Sequence, residues 1–187
     1  MDLNTINDIT NFIFVGKKID ELSHYDLLII NADYAEENVA NDLKLMLTKN
    51  IINNNTLFII CESHGNTERS SATILINKLK ENGLTNKIII DNKYISNPEI
   101  LKNIDKLVDI NKYNRILRIA KDFVARRWFI TANKYNFPVD KCDFYGVVDG
   151  RNISKKDWYK SETGVIQVMK EFINIGQQTI DGELIIK

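Results

Sequence analysis

The sequence predicts a doubly wound α/β sandwich of about five mostly parallel strands with helices on both faces. Three observations predict it. Short continuous apolar runs recur at 25–30 (YDLLII), 57–61 (LFIIC), 87–90 (KIII), 115–120 (RILRIA) and 144–148 (FYGVV), the signature of strands buried on both faces of a parallel sheet. Between them lie stretches whose apolar residues recur at three- and four-residue intervals, the period of amphipathic helices. The runs also stop at polar residues from which a helical pattern opens, the order of strand, loop and helix in a wound sheet.

Each element follows from local pattern. Leu3, Ile6, Ile9, Ile13 and Phe14 predict a helix over 3–14 that ends near Gly16 and covers one side of the sheet. The first strand ends in Asn31-Ala32-Asp33, and Val39, Leu43, Leu45, Met46 and Leu47 mark the helix behind it. After the second strand comes a polar turn, Glu62-Ser63-His64-Gly65-Asn66, then a helix from Thr67 to about Asn82 with Gly83 just past its end. The third strand leads to a helix opening at Pro98 behind an Asn97 cap. Lys121-Asp122 leads from the fourth strand into a helix over 123–135, broken by Phe137-Pro138. Val165, Val168, Met169, Phe172 and Ile173 give a long amphipathic C-terminal helix over about 156–175.

Composition bounds the function. A chain of 187 residues forms one domain, and 25 Lys and Arg against 25 Asp and Glu leave no basic footprint for nucleic acid and no polybasic membrane patch. No signal peptide is read at the N-terminus and no apolar run nears the ~18 residues of a membrane span, so the expected location is the cytoplasm. Cys61 and Cys142 read as small buried hydrophobes, and Trp128 and Trp158 as core. Two His without clustered Cys give no metal-site spacing. There is no G-x-G-x-x-G turn after the first strand, no Walker A loop and no G-x-S-x-G elbow.

The functional argument is convergence. In a parallel sheet the loops after the strands meet along one edge, and ligands bind there. The polar residues that this rule brings together are Asn31 and Asp33, then Gly65, Asn66, Thr67 and Glu68, then Asn97 and Glu99, and finally Lys121, Arg126 and Arg127. Gly65 lets a backbone approach a phosphate or carboxylate, or simply turns the chain, with Thr67 as a helix cap. Lys121, Arg126 and Arg127 gather cations at a helix start, where the helix dipole prefers anions. An anionic small molecule accounts for them, or else a solvated Arg pair or an ion pair to Glu68 or Glu99. Glu68 and His64 are the candidate catalytic residues, while His24 reads as structural.

The segments YDLLIIN, GNTERSSATILINKLKENGL, KIIIDNKYISNPEILKN and IAKDFVARRWFITANKYNFP together resemble the YdcF-like domain family, which includes the SanA and ElyC envelope proteins. The family's acidic position in the helix after the second strand corresponds to Glu68, its aromatic residue and basic pair to Phe123, Arg126 and Arg127, and an Asn-Glu-Asn pattern to Asn97, Glu99 and Asn103. The resemblance implies a Rossmann-like fold and a charged ligand pocket, with S-adenosylmethionine or a nucleotide as cofactor-like ligand and an association with cell-envelope metabolism. Two readings follow: hydrolysis or transfer on a phosphorylated or nucleotide-like substrate, or a binding or regulatory module without turnover.

Overall fold

A computed structural model describes residues 1–31, 33, 35–62, 70–92 and 96–180. In chain order its elements are α1 (Leu3–Ile13), β1 (Leu27–Asn31), α2 (Glu36–Thr48), β2 (Leu57–Cys61), α3 (Ser71–Glu81), β3 (Ile88–Asp91), α4 (Asn97–Leu107), β4 (Ile116–Lys121), α5 (Ala125–Lys134), β5 (Cys142–Val147) and α6 (Glu162–Ile180). The strands form one sheet in the order β3-β2-β1-β4-β5, and every pairing is parallel. This is the expected doubly wound α/β architecture, Rossmann-like in strand order. The chain leaves β1 toward one edge and returns to β4 beside it, so the sheet reverses direction between β1 and β4.

Alternate residues of each strand face opposite sides. Leu28, Ile30, Phe58, Ile60, Leu117 and Ile119 pack under α2 and α3 with Val39, Leu43, Leu75 and Leu79. On the other side Leu27, Ile29, Ile59, Ile116 and Ala120 meet Ile100 and Ile104 of α4 and Trp128 and Ala132 of α5. β1 is buried at its first four residues, which is why YDLLII shows no alternation.

A third cluster lies outside α5. Ile9, Ile13 and Phe14 pack with Phe123, Ile130, Trp158, Val168 and Ile175, so α1 joins α5 and α6 in an outer layer instead of covering the sheet itself. The C-terminal helix also starts later than its pattern predicts: residues 158–160 form a 3₁₀ turn and α6 opens at Glu162. Its buried face is Gly164, Val168, Glu171 and Ile175, leaving Phe172 and Ile173, expected in the apolar face, exposed. Phe172 instead meets Phe12 edge to face, with ring centres 5.5 Å apart.

Two helix starts are corrected likewise. α3 opens at Ser71, where the Ser70 hydroxyl accepts from the Thr73 N–H at 3.2 Å and caps the helix; Thr67, expected as its start, lies outside the described residues. Ser96 precedes α4, and Asn97 is its first helical residue ahead of Pro98. Gly83 has a φ of +79°, as its position after α3 requires. Among the described residues no helix is long and apolar enough to cross a membrane.

Candidate functional site

Where β1 and β4 end side by side, a cavity of about 220 Å³ opens at the sheet's carboxyl edge. Asn31 and Asp33 come from the end of β1, Ala120 and Lys121 from the end of β4, and Asn97 from the first turn of α4. Arg127 stands in the first turn of α5, and Gln167 and Glu171 of α6 close the outer side. This is the crevice where the connections on either side of the sheet diverge, the usual binding position in open α/β sheets.

The floor of the cavity is Arg118. It lies in β4 on the face shared with Ile116 and Ala120, and only 1% of it is exposed. Its guanidinium carbon sits 4.6 Å from the centre of the Trp128 ring, and one terminal nitrogen donates to the Ile29 carbonyl at 3.1 Å. The Arg118 Nε–H is buried without an acceptor, and no carboxylate among the described residues is within ion-pair distance. An arginine does not shed its proton in a protein, so the charge stays.

The other two guanidinium groups of the wall are already held. Arg127 donates from Nε and Nη2 to the two oxygens of Glu171 at 2.6 and 3.0 Å. Arg151 grips Asp149 through its Nε at 2.8 Å and through Nη2, and its guanidinium lies over the Phe123 ring. Burial lowers the pKa of the Lys121 ammonium, while the Asp33 carboxylate pulls it back up.

The expected site residues separate into three groups. Asn31, Asp33, Asn97, Lys121 and Arg127 meet at the cavity. Arg126 does not: it donates to the Phe12 carbonyl at 2.8 Å and lies over the Phe12 ring, tying α5 to α1. Consecutive helical residues point about 100° apart, so one member of the Arg126-Arg127 pair must turn away. Glu99 is also outside the lining and accepts from the Ser96 hydroxyl at 3.3 Å. Asn103 turns to the end of β3, donating to Asp91 at 3.3 Å. His64, Gly65, Asn66, Thr67 and Glu68 lie outside the described residues.

Arg118, Arg151, Gln167 and Glu171 escape the sequence reading. Arg118 had a signal, because a charge inside an otherwise apolar buried strand has to be compensated. Glu171 falls on the spacing Val168, Glu171, Ile175, the buried stripe of its helix. Glu62, at the end of β2, accepts from the Ala72 N–H at 2.8 Å and so holds the N-terminus of α3. Burial pushes the Cys61 and Cys142 thiols up to about 12, so neither supplies a thiolate nucleophile at neutral pH. Among the described residues no group of three His, Cys, Asp or Glu side chains could hold a metal. His24 stands at the opposite end of the sheet, its Nδ1 3.4 Å from the Asn50 carbonyl.

A second, larger cavity of about 730 Å³ lies between α1 and the edge strand β5, with Lys17, Lys155 and Lys156 in its wall. Asp122 projects into it beside Gly146, where any Cβ would overlap the Asp122 carboxylate. Burial pushes the Asp122 carboxyl up to about 6. The folded chain therefore holds this proton to a higher pH than the unfolded chain, and stability is lost as pH rises from about 4 through about 6. Asp122→Asn is expected to raise stability at pH 7 by about 3 kcal/mol and to change it little at pH 4. Thermal melts of both proteins at the two pH values check this; an equal gap at both would assign the effect to packing instead of charge.

Comparison with protein-family models and with curated proteins returns no match for this chain.

Proposed function

We propose that this chain is a YdcF-like protein that binds a small anionic molecule, through a carboxylate or phosphate group, in the cavity at the carboxyl ends of β1 and β4. The observation that carries the reading is Arg118, a fully buried guanidinium on the cavity floor with no carboxylate partner among the described residues. A buried charge left alone costs several kcal/mol, and stacking on Trp128 offsets only about 2 kcal/mol of that. An anion in the cavity supplies the missing partner. The volume of about 220 Å³ is below the roughly 300–1,000 Å³ of sites for drug-sized ligands. The cavity therefore suits a head group, and a nucleotide or S-adenosylmethionine would leave most of its body outside it.

A second reading, hydrolysis or transfer on the bound molecule, draws on Lys121, whose half-buried ammonium has a lowered pKa in the cavity wall. A lysine of that kind can exchange a proton nearer neutral pH than an exposed one.

The test is a thermal-shift screen of inorganic phosphate, simple carboxylates, nucleotides and S-adenosylmethionine on the native chain and on Arg118→Met. Replacing a buried charge with a similar-sized apolar side chain is often neutral or stabilising by about 1–4 kcal/mol. Arg118→Met is therefore expected to melt at or above the native temperature and to lose every anion-induced shift. Shifts that survive in the variant would move the ligand elsewhere. Product formation from any hit, lost in Lys121→Met, would favour turnover; binding without product would favour a module.

A further inference from the structure

We infer that the ligand presents a single carboxylate, not a phosphate, to Arg118; the inference rests on the anion-binding reading above and narrows its class. Three guanidinium groups line the cavity, and each of the two that are satisfied holds a carboxylate. Arg127 sets Nε and Nη2 against the two oxygens of Glu171, a planar fork closed by a planar carboxylate, while Arg151 sets Nε and Nη2 against a single oxygen of Asp149. Arg118 is the third and has no carboxylate within ion-pair distance among the described residues.

Charge gives the same answer. Glu171 and Asp149 neutralise Arg127 and Arg151, and Asp33 acts on Lys121. Of the cations that line the cavity, Arg118 is the one with a buried N–H that finds no acceptor, and a single negative charge balances it. A phosphomonoester brings nearly two at neutral pH, and the second would face Glu171 and Asp33 with the remaining arginine forks occupied. A phosphodiester has the right charge, but it carries two ester substituents on its phosphorus, which a cavity of about 220 Å³ holds less readily than the single substituent of a carboxylate. Arg118 lies over the Trp128 ring, 4.6 Å from its centre, and its unused Nε–H lies in the guanidinium plane, where both oxygens of a carboxylate can also lie.

Calorimetric titration of the full chain with propionate, dimethyl phosphate and inorganic phosphate, each repeated on Arg118→Met, separates the outcomes. Propionate is expected to bind at least about tenfold more tightly than either phosphate, and Arg118→Met to weaken it at least about tenfold. Equal or tighter binding of either phosphate, lost in Arg118→Met, would overturn the carboxylate class and leave the anion site standing. Propionate binding that Arg118→Met leaves unchanged would place the carboxylate elsewhere and overturn the inference. No binding of any of the three would bring down both the inference and the anion-binding reading. The ratio among the three ligands on the native chain decides the class even where the variant does not fold.

Discussion

Glu171→Gln is expected to weaken the fold and strengthen anion binding, two effects of opposite sign from one substitution. The Glu171 side chain is 10% exposed and Arg127 is 23% exposed. Removing one partner of a buried ion pair costs about 3–5 kcal/mol. Because Arg127 keeps some access to water, about 2–3 kcal/mol is the expected loss here. The same change frees the Arg127 fork at the cavity wall and adds one uncompensated positive charge. A bound anion gains that charge as a partner, and each tenfold in affinity corresponds to about 1.4 kcal/mol. Urea unfolding should therefore show a lower midpoint while titration shows about tenfold tighter binding, with phosphate gaining more than propionate because a second fork is open to it. Arg127→Gln is the control: it lowers stability and affinity together. A Glu171→Gln variant that loses affinity would make Glu171 part of the ligand's own grip and not a competitor for Arg127.

How much of this was legible in the sequence differs between fold and site for a physical reason. Strands buried on both faces declare themselves by composition, so YDLLII, LFIIC and RILRIA are recognisable without any partner in view. Residues at strand ends are legible too, because topology alone carries Asn31, Asp33 and Lys121 to one edge. Side-chain direction is set later. Arg126 and Arg127 are equivalent as letters, and only the docking of α5 against α1 decides that Arg126 meets Phe12 while Arg127 meets Glu171. Glu171 belongs to a helix that opens at Glu162 because the preceding residues make the 3₁₀ turn around Trp158. A helix drawn from 156 includes that turn, and the expected apolar face takes in the exposed Ile173. Arg118 was in plain view inside RILRIA. Counting it as one tolerated charge in an apolar run hides the question of what compensates it, and the cavity above it is the answer proposed.

The site depends on a layer that is not part of the sheet. α6 supplies Gln167 and Glu171, yet it packs through the outer cluster with α1 and the turn at Trp158. Gly164 lies so close over the Trp158 carbonyl that a Cβ there would overlap it, which seats the first turn of α6 directly on this residue. The position of the cavity's outer wall is therefore decided at Trp158, remote from the sheet edge where the ligand group would sit.

Trp158→Ala is accordingly expected to have the largest effect of any single substitution considered. Trp158 is fully buried, and its Nε1–H donates to the Thr10 hydroxyl at 2.8 Å, linking the turn before α6 to α1. Truncating a buried tryptophan costs about 3–5 kcal/mol, a large part of the 5–15 kcal/mol typical of a domain. Trp158→Phe keeps an aromatic ring but loses the hydrogen bond and some volume, and about 1–2 kcal/mol is expected. Urea unfolding of the three proteins gives these differences, and amide exchange tells where they act. The sheet has its own two clusters under α2, α3, α4 and α5, so in Trp158→Ala the amides of α6 and α1 should lose protection before those of β1 and β4. Anion affinity should rise as α6 loses protection, since Glu171 then no longer occupies the Arg127 fork. Uniform loss of protection across the sheet would make the outer layer part of one cooperative core. Affinity that is unchanged while α6 exchanges freely would show that the ligand is held by Arg118 and the strand ends alone.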